Sequence, residues 1–195
     1  MTVLETERLR LRPPALEDVG ALAAALADPD VMRYIGDGTT RSADYAVRWI
    51  ENDRRGWELD GFSKFVVTVR HDERVIGRVG LSAWDPNTWV HGVRADLGDD
   101  VEIELGWTLL RDAWGHGYAT EAAATVRDWA LQCLGFTSLI SLIHPANTRS
   151  QAVARRLGER LERDVVTANG HPAQLWRTSL AMLPSGRPRS ARASV

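Results

Sequence analysis

The stretch Trp114-Gly115-His116-Gly117-Tyr118-Ala119-Thr120-Glu121-Ala122 decides the fold. Upstream of it, Val101, Ile103, Leu105 and Trp107 alternate with Glu102, Glu104 and Gly106, the period of a half-buried strand. Downstream, Ala119, Ala122, Val126, Ala130 and Cys133 recur at helical spacing until Gly135 stops the helix. Glycines at such a junction let a ligand approach the backbone, and the free amides of the helix start converge on one spot. That spot suits a phosphate or pyrophosphate, with the helix dipole assisting. A tight turn that needs glycine for steric reasons alone would carry the same letters. No Gly-Lys-Ser/Thr follows, so the stretch is not a P-loop; the third glycine and later acid of a dinucleotide fingerprint are also missing.

Outward from this junction, Leu139–Ile143 is a short continuous apolar run, the mark of a strand covered on both faces. Strand, glycine turn, helix and strand therefore form one βαβ unit. Asn147 leads into a further helix through Val153 and Leu157 to Gly158. Asp164–Ala168 and Ala173–Leu180, joined at Asn169-Gly170, read as a closing hairpin. Toward the N-terminus, Phe65–Val69 and Val75–Leu81 form a hairpin about His71-Asp72-Glu73, and Leu9 and Leu11 alternate with arginines in a strand. A first helix follows Pro13-Pro14 and ends near Asp28-Pro29; a second spans about Ser42–Trp57. Trp84–Asp100 reads as a long loop with a functional cast. The expected class is α+β, with one domain over residues 1–183 and a disordered Pro/Ser/Gly/Arg tail at 184–195.

Composition narrows the function. With 195 residues, 44% hydrophobic and 26% charged, the chain can bury a real core. Its 24 basic and 26 acidic residues leave a net charge of −2, which argues against binding nucleic acid through its backbone. Lys64 is the sole lysine and Cys133 the sole cysteine, so there is no intrachain disulfide and no cysteine-rich metal site. The histidines have no metal-ligand spacing. Trp129–Thr148 is uncharged, but turn signals break it into helix end, strand and loop, so no membrane span is expected. A cytoplasmic protein is the expectation.

Four motifs in order carry a resemblance. The glycine turn is similar to the acetyl-CoA pyrophosphate loop of the GNAT acetyltransferases, in the subfamily resembling ribosomal-protein and aminoglycoside N-acetyltransferases (RimJ/RimL-like). Thr6-Glu7-Arg8-Leu9-Arg10-Leu11-Arg12-Pro13 resembles that subfamily's opening strand, Glu104-Leu105-Gly106-Trp107 its fourth strand, and Asn147 with Ser150 its Asn-x-x-Ser signature. The resemblance covers about Leu4 to Leu180. It implies an α/β/α fold whose mostly antiparallel mixed sheet of about seven strands, flanked by about four helices, splits between strands 4 and 5. It implies acetyl-CoA as co-substrate, no metal, and direct attack of an amine on the thioester in a ternary complex. Pyrophosphate would rest on Gly115, Gly117, Ala119 and Thr120, with Trp114, His116 and Tyr118 in the same loop. Leu109 and Asn147 would complete the cofactor set, and a homodimer is compatible with the family.

Such a reaction needs the amine deprotonated, the oxyanion met by a donor and the departing thiolate protonated. Presenting a lysine-like amine (pKa ~10.4) as free base at pH 7 costs about 4.6 kcal/mol, an α-amine (pKa ~7.8) about 1. Glu104 matches the family's base position, acting directly or through water, with Glu102 in reserve on the same face; both could equally face solvent. The tyrosine that many members use as thiolate acid is replaced by Ala154. Ser150 is then the candidate, unless it only caps its helix. Trp114 replaces the usual Gln or Arg, and Glu159 stands where an aromatic normally follows Leu157-Gly158. Trp84 and Trp89 beside Asp85, Asp96, Asp99 and Asp100 form either a solvated loop or an acidic aromatic rim for a cationic acceptor. The expected acceptor is a protein N-terminal α-amine, with an aminoglycoside or polyamine as the small-molecule alternative. A GNAT-fold module that binds acyl-CoA without turnover is the alternative of another class.

Overall fold

A computed structural model describes residues 2–179. Apolar alternation forms strands wherever one face meets helices, and all strands join one sheet. These are β1 (Leu4–Glu5), β2 (Leu9–Arg12), β3 (Lys64–Val69), β4 (Val75–Trp84), β5 (His91–Gly92), β6 (Glu102–Leu109), β7 (Ser138–Ile143), β8 (Arg160–Val166) and β9 (Pro172–Ser179). The order is β1-β2-β3-β4-β6-β7-β9-β8, with β5 alongside β4. Every pairing is antiparallel except β6 with β7. Among the described residues nine strands stand against the expected seven, because two-residue β1 and β5 are too short to show a period.

Among the described residues six α-helices stand against the expected four: α1 (Val19–Ala27), α2 (Pro29–Met32), α3 (Ala43–Leu59), α4 (Arg94–Leu97), α5 (Tyr118–Cys133) and α6 (Thr148–Arg156). Asp28-Pro29 both ends α1 and starts α2, since the Asp28 carboxylate accepts the Asp30 amide at 2.8 Å and Pro29 sits in the first turn. The Trp84–Asp100 stretch is not a bare loop, because β5 and α4 lie within it. The closing hairpin is longer than its pattern showed: β8 begins at Arg160. Its residues are exposed almost throughout, which leaves no alternation to read. The 184–195 segment lies outside the described residues.

The two faces bury different things. On one, α5 lays Ala122, Val126, Trp129 and Ala130 over Phe65, Val79, Leu81 and Leu105. Cys133 ends that helix exposed, not on its inner face as spacing implied. On the other face, α1 and α3 close Leu22, Leu26, Ala46 and Ile50 over Val66. There the sheet also carries charge. Lys64 pairs with Gly80 and Gly80 with Gly106, so two glycines lie in a row beneath the lysine chain. A Cβ on Gly106 would stand 2.7 Å from Lys64 Nζ. The glycines thus clear the path by which Lys64 reaches Glu104.

Candidate active site

The parallel pair β6–β7 is bridged only at Glu104–Ile140. Beyond it the strands run on to Leu109 and Ile143 and part. A cleft of about 1240 Å³ opens there. Trp107, Thr108 and Leu109 line it from the sheet, Asn147, Ser150 and Val153 from α6, and Tyr34 and Ile35 from the turn after α2. At its far end Gly115 to Thr120 present the start of α5. Trp107, expected in the core by its period, is shared between core and cleft wall.

Gly115 and Gly117 have φ of 83° and 79°, the left-handed region that excludes most side chains. A Cβ on Gly115 would touch nothing within 4 Å, so backbone conformation demands the glycine and the space above it is open. Gly117 is the N-cap of α5 and supplies no side chain, which leaves the first-turn amides free for an anion. Glu121, in that same turn, is taken up from behind: Arg8 Nε donates to it at 2.7 Å, the Arg8 amide at 3.2 Å, and the Thr6 hydroxyl also donates to it. Arg8 further donates to the His116 carbonyl at 3.0 Å and lies over the Tyr118 ring. The opening-strand motif therefore clamps the glycine loop, a long-range role that no local spacing could display. The His116 ring stacks on Tyr118 at 5.5 Å, in the exposed part of the loop. Trp114 donates its indole N–H to the Leu109 carbonyl at 3.0 Å and lies between Arg149 and Arg111. Arg111 is itself paired with Asp30.

Asn147, not Ser150, caps α6: its side-chain oxygen accepts the Ser150 amide at 3.1 Å. The Ser150 hydroxyl has no hydrogen-bond partner among the described residues and lines the cleft. Ala154 is fully buried against Ile143 and Trp176, so no tyrosine could project into the cleft from there without repacking. Tyr34, on the opposite wall, stacks on His144 at 5.1 Å.

Glu104 does not line the cleft. Its Oε2 accepts from Ser82 at 2.9 Å and from the Trp84 indole at 3.0 Å, with Lys64 Nζ at 3.7 Å. Burial alone would raise its pKa, but Lys64, Trp84, His91 and Ser82 together hold it below the ordinary value. Glu104 is therefore an anion. Glu102 lies farther along the strand in a bidentate pair with Arg177, at 2.9 and 2.6 Å. Trp84 is committed to Glu104, and Trp89 is buried on Ile140 and Leu175, so neither indole is an open rim. The structure thus gathers the glycine-loop residues, Leu109, Asn147 and Ser150 into one cleft, and sets Glu104, Glu102 and Trp84 apart from it.

A smaller cavity of about 220 Å³ adjoins the Glu104 partners, lined by Asp53, Lys64, Arg78, Ser82 and His91. Desolvation on the cavity side pushes the His91 pKa down to about 4; Glu104 opposes the fall, and Lys64 and Arg78 add to it, so the imidazole is neutral at pH 7. Lys64 is the site residue that sequence reading missed, and its only signal was being the one lysine among arginines. Among the described residues no cluster of side chains could hold a metal ion, and no helix is long and apolar enough to cross a membrane.

A parted parallel strand pair thus leads to a helix N-terminus that no side chain caps. A model of the acetyltransferase (GNAT) domain matches residues 8–160. The chain belongs to the GNAT acetyltransferase family, and it is an acetyl-CoA-dependent acyltransferase. It is 29% identical over 186 residues to an uncharacterized N-acetyltransferase, p20, of Bacillus licheniformis, covering 92% of this chain and 96% of that one. Its fold superposes with TM-score 0.73 on an acetyltransferase of Agrobacterium tumefaciens at 29% identity, covering 91% and 94% of the two chains. RimL, the ribosomal L7/L12 α-N-protein acetyltransferase solved with coenzyme A, shares the fold at TM-score 0.71 and 14% identity, over 91% and 97%.

Proposed function

We propose that the protein transfers the acetyl group of acetyl-CoA to a primary amine in a ternary complex, and that the acceptor is a protein N-terminal α-amine. The observation that carries the cofactor half is the split itself. Pantetheine fits between the parted strands as pyrophosphate meets the Gly115–Thr120 amides, and the mixed arginine lining of the cleft suits its phosphates. RimL's coenzyme A and its protein α-amine substrate support the same reading by analogy of fold.

The preference for an α-amine rests on Glu104. Lys64, Trp84, His91 and Ser82 hold its carboxylate below the ordinary pKa, which makes it a weak base. An acceptor that costs about 1 kcal/mol to deprotonate can use such a base through water; one that costs about 4.6 cannot use it well. Ser150, free of capping duty, is assigned the proton that the CoA thiolate takes up. The backbone amides of β6 bordering the split supply the donor for the oxyanion.

An acceptor panel read by free-thiol release tests the proposal. Peptides with free N-termini should turn over, and the same peptides N-terminally blocked but carrying lysine should not. Turnover of aminoglycosides or polyamines with inert peptides would replace the acceptor and leave the cofactor reading standing.

A further inference from the structure

Glu159 occupies the position after Leu157-Gly158 and is 4% exposed, on the α5–α6 side of the sheet. Its Oε1 lies 3.1 Å from Ser141 Oγ, and Ser141 Oγ lies 2.8 Å from the Leu105 carbonyl oxygen. Leu105 is one residue beyond the last bridged pair of β6 and β7, where the cofactor cleft begins. A serine hydroxyl has one hydrogen. If Glu159 were ionised, the Ser141 hydrogen would face two acceptors, and the anion would win it from the carbonyl. If Glu159 is a neutral acid, its O–H donates to Ser141, and Ser141 donates to Leu105, so every atom along this line is satisfied.

We propose that Glu159 is a positioning residue whose retained proton, relayed through Ser141 to the Leu105 carbonyl, holds β7 against β6 at the apex of the acetyl-CoA cleft. Loss of that proton turns Ser141 toward the carboxylate, strands the Leu105 carbonyl and loosens the apex. The surroundings agree. Burial raises the Glu159 pKa to about 8 against the weaker pull of Ser141 and Arg127, and Glu104 on the opposite face of β6 adds to the rise. Arg127, on α5, is itself engaged with the Leu157 carbonyl at 2.7 Å and with Asp128 at 2.7 Å. From α6 the Ala154 carbonyl accepts the Glu159 amide at 3.0 Å. Along β9, the nearby Trp176 and Thr178 carry no charge. The second carboxyl oxygen, Oε2, has no protein partner, as a neutral acid tolerates and an anion does not.

The inference rests on the cofactor reading and is tested without any acceptor. The affinity for acetyl-CoA is measured by calorimetry from pH 6.5 to 9 for the wild type, Glu159→Gln and Ser141→Ala. With the proton lost near pH 8, the wild type should weaken about tenfold by pH 9, as its competent fraction falls to roughly one-tenth. Glu159→Gln, whose amide still donates to Ser141, should stay within about twofold over the range. Ser141→Ala should bind weakly and without that pH dependence. A pH-independent wild type, or a Glu159→Gln or Ser141→Ala variant that follows the wild-type curve, overturns the relay. No binding by any form at any pH overturns the cofactor reading as well.

Discussion

Ser150 and Lys64 show how single residues acquire roles that their types do not announce. Ser150 sits where a serine usually caps a helix, yet Asn147 does that work, and the hydroxyl is left facing the cleft. Ser150→Ala is expected to lower kcat about 10- to 100-fold with acetyl-CoA affinity unchanged, the signature of a lost proton donor. Steady-state kinetics beside calorimetry checks it, and an unchanged kcat would return Ser150 to a structural role. Lys64 neutralises a carboxylate inside the sheet. Lys64→Met should cost about 3–5 kcal/mol in chemical denaturation, because it leaves Glu104 charged and unpaired. Adding Glu104→Gln should recover much of that loss, since the pair is removed together.

At the scale of elements, the glycine loop and the β1–β2 turn act as one unit. Arg8 and Thr6 hold Glu121 and the His116 carbonyl, and so fix the amides that face the cleft. Arg8→Ala is expected to weaken acetyl-CoA binding severalfold and to raise amide exchange at the start of α5. Hydrogen exchange that stays as in the wild type would show that the loop holds itself. What the sequence made legible divides along the same line. Strand β6, the glycine turn and α5 were readable because alternation, positive-φ glycines and helical spacing are local signals. The Arg8–Glu121 clamp, the Lys64–Glu104 pair and the Asn147 cap in place of Ser150 were not, because each depends on contacts fixed only by the folded chain. Short α2, α4 and β5 escaped notice because they hold less than two periods of any pattern. Exposed β8 gave no contrast between its faces.

Across the whole molecule, two buried glutamates set opposite pH dependences of stability. Glu104 has its folded pKa lowered, so its contribution is present above its unfolded value and is lost as the medium becomes acid. Glu159 has its folded pKa raised from 4.5 to about 8. Its contribution is complete below pH 4.5 and is lost progressively up to about 8, at a slope of about 1.4 kcal/mol per unit. Glu159→Gln should therefore raise the Tm relative to wild type at pH 8 and change it little at pH 5. Equal shifts at both pH values would contradict a neutral buried acid. The same sheet that buries both glutamates parts between β6 and β7 at the proposed cofactor cleft, so fold and proposed activity share one seam.

That seam is tested most directly by titrating acetyl-CoA into the purified protein beside a Gly117→Glu variant. Gly117 lies in the left-handed region, and a carboxylate there would meet the pyrophosphate with like charge. The account expects micromolar binding by the wild type, about 8 kcal/mol, and its loss in the variant. Equal binding by both proteins would place the cofactor away from the Gly115–Thr120 amides and contradict the account.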